Sequence, residues 1–236
     1  MDDFLEIAGL RIPNDPAVIT PQIARSIENG RYERAEMAGI RKFVKPEDRI
    51  IELGAGIGVV SSFLARHMGV KNILCIEADP ALCAFIPRVH RANGIAGIEV
   101  RNAVVLDDLA EAGTATFYVR EPFWASSLDG AAEYRRAVEV PALRLSELVA
   151  EFRADTLIVD IEGGERDLFT LAELPGVQKV FLEIHTRKIR RIGVKMCFDA
   201  LSLAGFAYDQ QVSRGGLVLF RRIPRWQMEA LDGETR

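Results

Sequence analysis

Apolar residues in this chain come in short unbroken runs, separated by stretches of helical periodicity. Ile50-Ile51, Ile73-Leu74-Cys75-Ile76, Leu157-Ile158-Val159 and Val180-Phe181-Leu182 are such runs. Runs without polar alternation fit parallel strands covered on both faces. They predict strands near 49–53, 72–77, 98–105, 156–161 and 178–185. The stretches between predict helices over about 58–68, 80–93, 145–153, 164–173 and 193–204. Met37, Ile40 and Phe43 recur at three-residue steps and predict a helix from Tyr32 to Phe43. Residues 1–30 hold three prolines and little periodicity, which suits an irregular arm with a short helix from about Pro21.

The chain closes with Phe206-Ala207-Tyr208-Asp209, a polar turn at Ser213-Arg214-Gly215-Gly216, and Leu217-Val218-Leu219-Phe220, a β-hairpin pattern. Thr116–Val119 and Val138–Pro141 also read as strands, and they interrupt the βα alternation. The loop between them, Phe123-Trp124-Ala125-Ser126-Ser127, suits a functional lid. The expected organisation is an N-terminal arm and helix (1–45), one α/β domain (46–223) with an insertion at about 112–142, and a tail (224–236). Five α/β units followed by a hairpin is the order of the seven-stranded, Rossmann-like class I methyltransferase sheet. That sheet is mostly parallel, with an antiparallel hairpin at its C-terminal end.

The chemistry starts at Glu52-Leu53-Gly54-Ala55-Gly56-Ile57-Gly58, an apolar run ending in an acid and a glycine-rich turn. A second run ends in Glu77-Ala78-Asp79-Pro80. This β-turn-α-β unit suits an adenosine-containing cofactor, with an acid about 20 residues on for the ribose hydroxyls. Val59 stands where a dinucleotide fingerprint needs its third glycine, and the Gly-Lys-Ser/Thr of a P-loop is absent. Glu52 would repel a pyrophosphate but suits S-adenosylmethionine, which carries an ammonium and a sulfonium. Glu77 is the expected ribose acid, and Asp79, followed by Pro80, is the expected cap of the next helix. The plainer alternative is a glycine turn that serves only strand–helix packing.

Composition narrows the class. A net charge of −4 over 236 residues argues against a broad nucleic-acid surface. The three cysteines, Cys75, Cys83 and Cys197, are scattered and fit a reducing compartment. The acidic N-terminus lacks a signal-peptide pattern, and no uncharged apolar run approaches about 18 residues, so a cytoplasmic protein without a membrane span is expected.

Tyr32-Glu33, the glycine loop, Ile76-Glu77-Ala78, Asn102-Ala103, Asp160-Ile161-Glu162-Gly163-Gly164-Glu165 and Leu182-Glu183-Ile184-His185 together resemble the FkbM-type methyltransferases. The resemblance runs from about residue 30 to 220, and the Asp-x-Glu-Gly-x-Glu pattern is its most specific part. It implies S-adenosylmethionine-dependent O-methylation, commonly of sugar or secondary-metabolite hydroxyls, with S-adenosylhomocysteine as product. It assigns Tyr32, Glu33, Glu52, Gly54, Ala55, Gly56, Glu77, Ala78, Asn102, Ala103 and Asp160 to the cofactor. Glu52 stands where many members have Asp, and Gly164 where many have Ala.

Methyl transfer from a sulfonium needs an oxygen held in line, and a base to take its proton. Asp160 ends a strand at the carboxyl edge of the sheet, where ligands sit. Glu162 follows closely, and His185 ends the next strand and has the most suitable ordinary pKa for a base. Asp160, Glu162 and His185 are therefore the catalytic candidates. Glu165 near a helix start is read as a dipole partner. Three acids so close could hold a divalent metal, but a catechol-type site draws further ligands from the following strand end, and no metal is expected. His67 and His90 are read as structural or exposed. Trp124, Ser127 and Arg187 are candidates for the acceptor side, with the basic run after His185 suited to an anionic acceptor. The expected partner is a small molecule or carbohydrate, not nucleic acid, since the Asn/Asp-Pro-Pro-aromatic segment of base methylation is absent. The oligomeric state stays open, with a homodimer one option. The competing readings are a catalytically silent S-adenosylmethionine-binding module and an NAD-dependent oxidoreductase.

Overall fold

The computed structural model describes residues 3–106, 113–170 and 174–227, and of Trp124 only the backbone. The predicted end of one helix at 173, the start of the insertion at 112 and most of the tail lie outside the described residues.

The chain opens with a hairpin, β1 (Phe4–Ile7) and β2 (Leu10–Pro13), then α1 (Pro21–Glu28) and α2 (Arg34–Ile40). The α/β core follows: β3 (Arg49–Leu53), α3 (Val59–His67), β4 (Asn72–Glu77), α4 (Pro80–Ala92) and β5 (Glu99–Asn102). Next come β6 (Val104–Leu106), β7 (Gly113–Val119) and β8 (Arg136–Arg144). The chain ends with α5 (Leu145–Phe152), β9 (Thr156–Val159), α6 (Glu165–Leu168), β10 (Lys179–Glu183), α7 (Thr186–Leu203), β11 (Phe206–Tyr208) and β12 (Leu217–Arg222).

Among the described residues, seven strands form the main sheet in the order β11-β12-β10-β9-β3-β4-β5. β12 runs antiparallel to both neighbours, and the other pairings are parallel. Successive side chains leave opposite faces of each strand, so each apolar run feeds two cores. Ile50, Ile73, Cys75, Ile158 and Phe181 pack into one, and Ile51, Leu74, Ile76, Val159 and Leu182 into the other.

Four expectations change. The N-terminal arm is not irregular: its hairpin packs Leu10 and Ile12 into the first core, where α1 adds Ile23 and Ile27. Asn93, at the end of α4, pins the arm by exchanging two hydrogen bonds of 2.8 Å with the main chain of Arg11. The helix expected over 32–43 shortens to α2, because Glu33 takes a left-handed conformation (φ 51°) at its start. The strand expected at 98–105 divides at Ala103: β5 stays in the main sheet, whereas β6 joins β8 and β7 in a second, three-stranded sheet. Finally, α7 starts at Thr186, earlier than expected, and its helical path breaks at Arg190 (φ 59°). Among the described residues, no helix is long and apolar enough to cross a membrane.

Candidate active site

Register builds the site. Leu53 pairs with Ile76 on one side and Val159 on the other, and Val159 pairs with Leu182. The next residue on each strand therefore reaches the same edge: Gly54, Glu77, Asp160 and Glu183. All four line one cavity of about 1340 Å³ at the carboxyl ends of the strands. Ligand sites of about 300–1,000 Å³ are usual for one small molecule, so this volume has room for a cofactor and an acceptor together.

The glycine loop has two distinct demands. A Cβ on Gly54 would lie 1.7 Å from the Asp160 carbonyl oxygen, so this position closes the loop onto β9. Gly56, at φ 53°, turns its N–H toward Glu77 Oε2 at 2.8 Å. Glu77 Oε1 accepts the Asp79 N–H at 2.8 Å, and burial raises the Glu77 carboxyl to about 7. Asp79 caps α4 through Ala81 N–H and accepts a hydrogen bond from Arg136 Nη2 on β8.

The other cofactor candidates divide by position. Ala78 and Ala103 line the main cavity. Asn102 is not among its lining residues; its amide donates to the carbonyls of Glu77 and Ala78 and holds the strand edge. Glu52 and Ala55 face a small adjoining void, shared with Tyr32, Glu33 and Asp160, and not the main cavity. Glu52 is buried, accepts the Cys75 thiol at 3.3 Å and is raised by burial to about 8. Tyr32 and Glu33 line both spaces. Burial first, and then Glu36 and Asp160, push the Glu33 carboxyl far above its usual range.

Opposite them stands a histidine between carboxylates. Glu165 is fully buried and accepts the His185 main-chain N–H at 2.7 Å, with His185 Nδ1 at 3.2 Å. Its other oxygen accepts the Gly163 N–H at 2.7 Å. His185 Nε2 lies 3.3 Å from Glu162 and 3.5 Å from Asp160 Oδ1. Burial opposes the imidazolium, but hydrogen bonds to Glu162 and Glu165 overcome it and raise His185 to about 10. That shift favours the charged ring near neutral pH, where the sequence reading has His185 as a base. Burial and the neighbouring Glu183 raise Asp160 to about 8, against the opposing pull of His185. Its Oδ1 is buried without a hydrogen-bond partner. Glu162, itself left-handed at φ 52°, is tied to Lys188 Nζ at 2.6 Å. Non-glycine residues in that region cost about 1–3 kcal/mol and gather at functional sites.

On the acceptor side, Ser127 and Phe123 line the cavity. Arg120 organises this wall: its guanidinium donates to Ser127 Oγ at 2.9 Å and to the carbonyls of Tyr118, Ala125, Asp129, Ala132 and Glu133. The main chain of Trp124 lies on a 3₁₀ turn between Phe123 and Ala125, both of which line the cavity, and its side chain is outside the described residues. Arg187 is exposed in the first turn of α7 and does not line the cavity, whereas Lys188 does. Sequence reasoning names Glu183 only within a motif, omits Arg120, and reads Glu165 as a dipole partner or one of three clustered acids. The third acid of Asp160–Glu165 and the acid before His185 were the available signals.

These residues fit S-adenosylmethionine. A Cβ on Gly56 would stand 3.5 Å from the Tyr32 hydroxyl and 3.7 Å from the Phe123 ring, so the bare main chain lines the cavity floor; Glu77 offers carboxylate oxygens beside it, and Asp160 Oδ1 makes no hydrogen bond. The sheet order and the edge arrangement define the class: a Rossmann-like methyltransferase fold. The methyltransferase FkbM domain matches residues 52–221, and the chain belongs to that family. It is an S-adenosylmethionine-dependent methyltransferase.

Among solved structures, the chain is similar to TYW2 of M. jannaschii in complex with AdoMet, at 14% identity and TM-score 0.51, covering 94% of this chain and 87% of that one. It is also similar to a ribosomal protein L11 methylase from Lactobacillus delbrueckii subsp. bulgaricus (16% identity, TM-score 0.48, 83% and 80% covered). A methyltransferase from Pyrococcus furiosus is a third (12%, 0.46, 91% and 90%). The first likeness shows the fold alone, and no curated protein matches the sequence.

Proposed function

We propose that this chain O-methylates a hydroxyl of a sugar, glycan or secondary metabolite, acting in the cytoplasm on a small-molecule or carbohydrate acceptor. S-adenosylmethionine supplies the electrophilic methyl group when bound. Glu77 takes the ribose hydroxyls, and Tyr32, Glu33 and the Gly54–Gly56 loop enclose the methionine end. Asp160 orients the acceptor hydroxyl and takes its proton. His185, charged, holds Asp160 and Glu162 in place and offsets the acidic surroundings. Ser127, Phe123 and Trp124 form the acceptor wall. Residues 46–223 act as the catalytic domain, with the arm at 1–45 closing its cofactor side.

The observation that carries this reading is the uncommitted Asp160 oxygen at the strand edge, in the same cavity as Glu77 and the glycine loop. Radiolabelled methyl transfer to a panel of hydroxyl- and amine-bearing acceptors tests it. Turnover of a hydroxyl acceptor, reduced at least about 100-fold in Asp160→Ala from lost positioning, is the expected result. Near-normal turnover in that variant sinks the role of Asp160, and methylation of amines alone sinks the choice of oxygen.

A further inference from the structure

The ends of β9 and β10 carry a grouping that proton transfer does not fully use. Asp160, Glu183 and His185 each offer one donor atom, and these atoms lie within 4.8 Å of one another. Glu183 ends β10, His185 follows it by two residues, and Asp160 ends the neighbouring parallel strand. A metal at this edge needs further ligands from the following strand end. The fold supplies them there.

The donor spacing is compatible with one cation. Octahedral coordination at ~2.1 Å places adjacent donors ~3 Å apart and opposite donors ~4.2 Å apart. His185 Nε2 and Asp160 Oδ1 stand 3.5 Å apart, near the adjacent spacing, and no two of the three donor atoms lie more than 4.8 Å apart.

Two observations outside the grouping's own geometry point to a ligand. Asp160 Oδ1 is buried and makes no hydrogen bond, with His185 Nε2 at 3.5 Å, so an acceptor is desolvated beside a second donor atom. His185 is aimed from behind: fully buried Glu165 engages its main-chain N–H and Nδ1, which leaves Nε2 turned toward Asp160. A carboxylate behind the imidazole is the usual orienting partner of a metal-bound histidine. The neighbouring charges do not fill the place. Lys188 is committed to Glu162 at 2.6 Å, and Glu36 adds a further carboxyl beside Glu183.

We infer that Asp160 Oδ1, a Glu183 carboxylate oxygen and His185 Nε2 bind one divalent cation of the Mn²⁺ type. Two carboxylates and an imidazole suit such ions. Binding displaces the Nε2 proton to solvent, so the charged His185 and the proton-accepting Asp160 of the proposed function belong to the metal-free site. The open positions would take the acceptor hydroxyl and polarise it, a role that rests on the proposed function; the binding itself does not.

Electron paramagnetic resonance and calorimetry with Mn²⁺ on the intact protein test the site, with S-adenosylhomocysteine binding measured alongside. One Mn²⁺ per chain is expected, weakened about 10-fold or more in Glu183→Gln and in His185→Gln. S-adenosylhomocysteine affinity should change by less than about 3-fold in Glu183→Gln, which also reports that the variant is folded. Absence of Mn²⁺ binding up to ~1 mM in protein that binds S-adenosylhomocysteine overturns the inference. So does Mn²⁺ binding that neither variant weakens. Mn²⁺ binding lost in both variants, in protein that ignores S-adenosylhomocysteine, upholds the cation site and counts against the cofactor reading instead.

Discussion

Glu165→Gln should remove half of the clamp that keeps His185 charged. Glu165 is fully buried, and its two oxygens serve the main-chain N–H groups of Gly163 and His185 at 2.7 Å each, with His185 Nδ1 at 3.2 Å. A glutamine keeps the shape, but its amide must turn a donor toward one of these donors. A buried group left unpaired in this way costs about 1–3 kcal/mol. The second effect is electrostatic. Raising an imidazole from 6.5 to about 10 is worth roughly 5 kcal/mol, and Glu165 shares that with Glu162, so losing it costs about 2 kcal/mol. Together the substitution should destabilise the fold by about 3–5 kcal/mol near pH 6.

The two parts separate with pH. A histidine whose folded pKa is raised stabilises fully below its unfolded value of 6.5, and that stabilisation fades as pH climbs to about 10. The electrostatic part of the deficit should therefore shrink over that range, while the hydrogen-bond part persists. Urea unfolding of both proteins at about pH 6, 8 and 10 measures the difference. NMR titration of the His185 ring gives its midpoint directly, expected well above neutrality in the parent and lower in the variant. A parent midpoint near 6.5, or a deficit constant across pH, refutes the clamp.

Glu77→Ala should weaken S-adenosylhomocysteine binding by about 1–3 kcal/mol through lost charge-assisted hydrogen bonds; unchanged affinity by calorimetry would move the ribose role to Asp79. Gly54→Ala places a methyl 1.7 Å from the Asp160 carbonyl at φ 81°, so thermal unfolding should show a loss above ~3 kcal/mol, and a wild-type melting curve would contradict it. Binding of S-adenosylmethionine should release protons, because a cation favours the ionised forms of Glu77 (about 7) and Asp160 (about 8). Affinity should then rise from about pH 6 to pH 8. Calorimetry in buffers of different ionisation enthalpy reads the release, and identical heats would exclude it.

The main sheet was legible because its strands are short, continuous apolar runs, and β3 and β4 fall on their predicted bounds. The N-terminal hairpin was not. Its strands are four residues each, and their turn, Ala8-Gly9, takes positive φ at both positions with alanine where Asn or Asp would announce it. The division at Ala103 was hidden too, since Val100 through Val105 reads as one strand and only pairing with β8 separates it. In the site, the loop and its acids were visible as local motifs. The grip of Glu165 on His185 spans 20 residues and depends on β9 and β10 lying side by side, which no window of sequence displays. Arg187 is a related case: type and spacing suggest an anion partner, but at the start of α7 it is Lys188, not Arg187, that lines the cavity.

The division at Ala103 bears on how acceptor range can be exchanged between relatives. The second sheet is tied to the end of β4 in two places: Ala103 donates its N–H to the Glu77 carbonyl, and Arg136 at the start of β8 holds Asp79. Trading the whole segment between β5 and α5 would put the Arg136 tie at risk and rebuild the strand that follows the main-chain tie at Ala103. A chimera that keeps β6, β7 and β8 and replaces only residues 120–135 leaves both intact. That graft, bounded by the ladder where Val119 pairs with Arg136, is the smallest transplant that carries the acceptor wall as a unit.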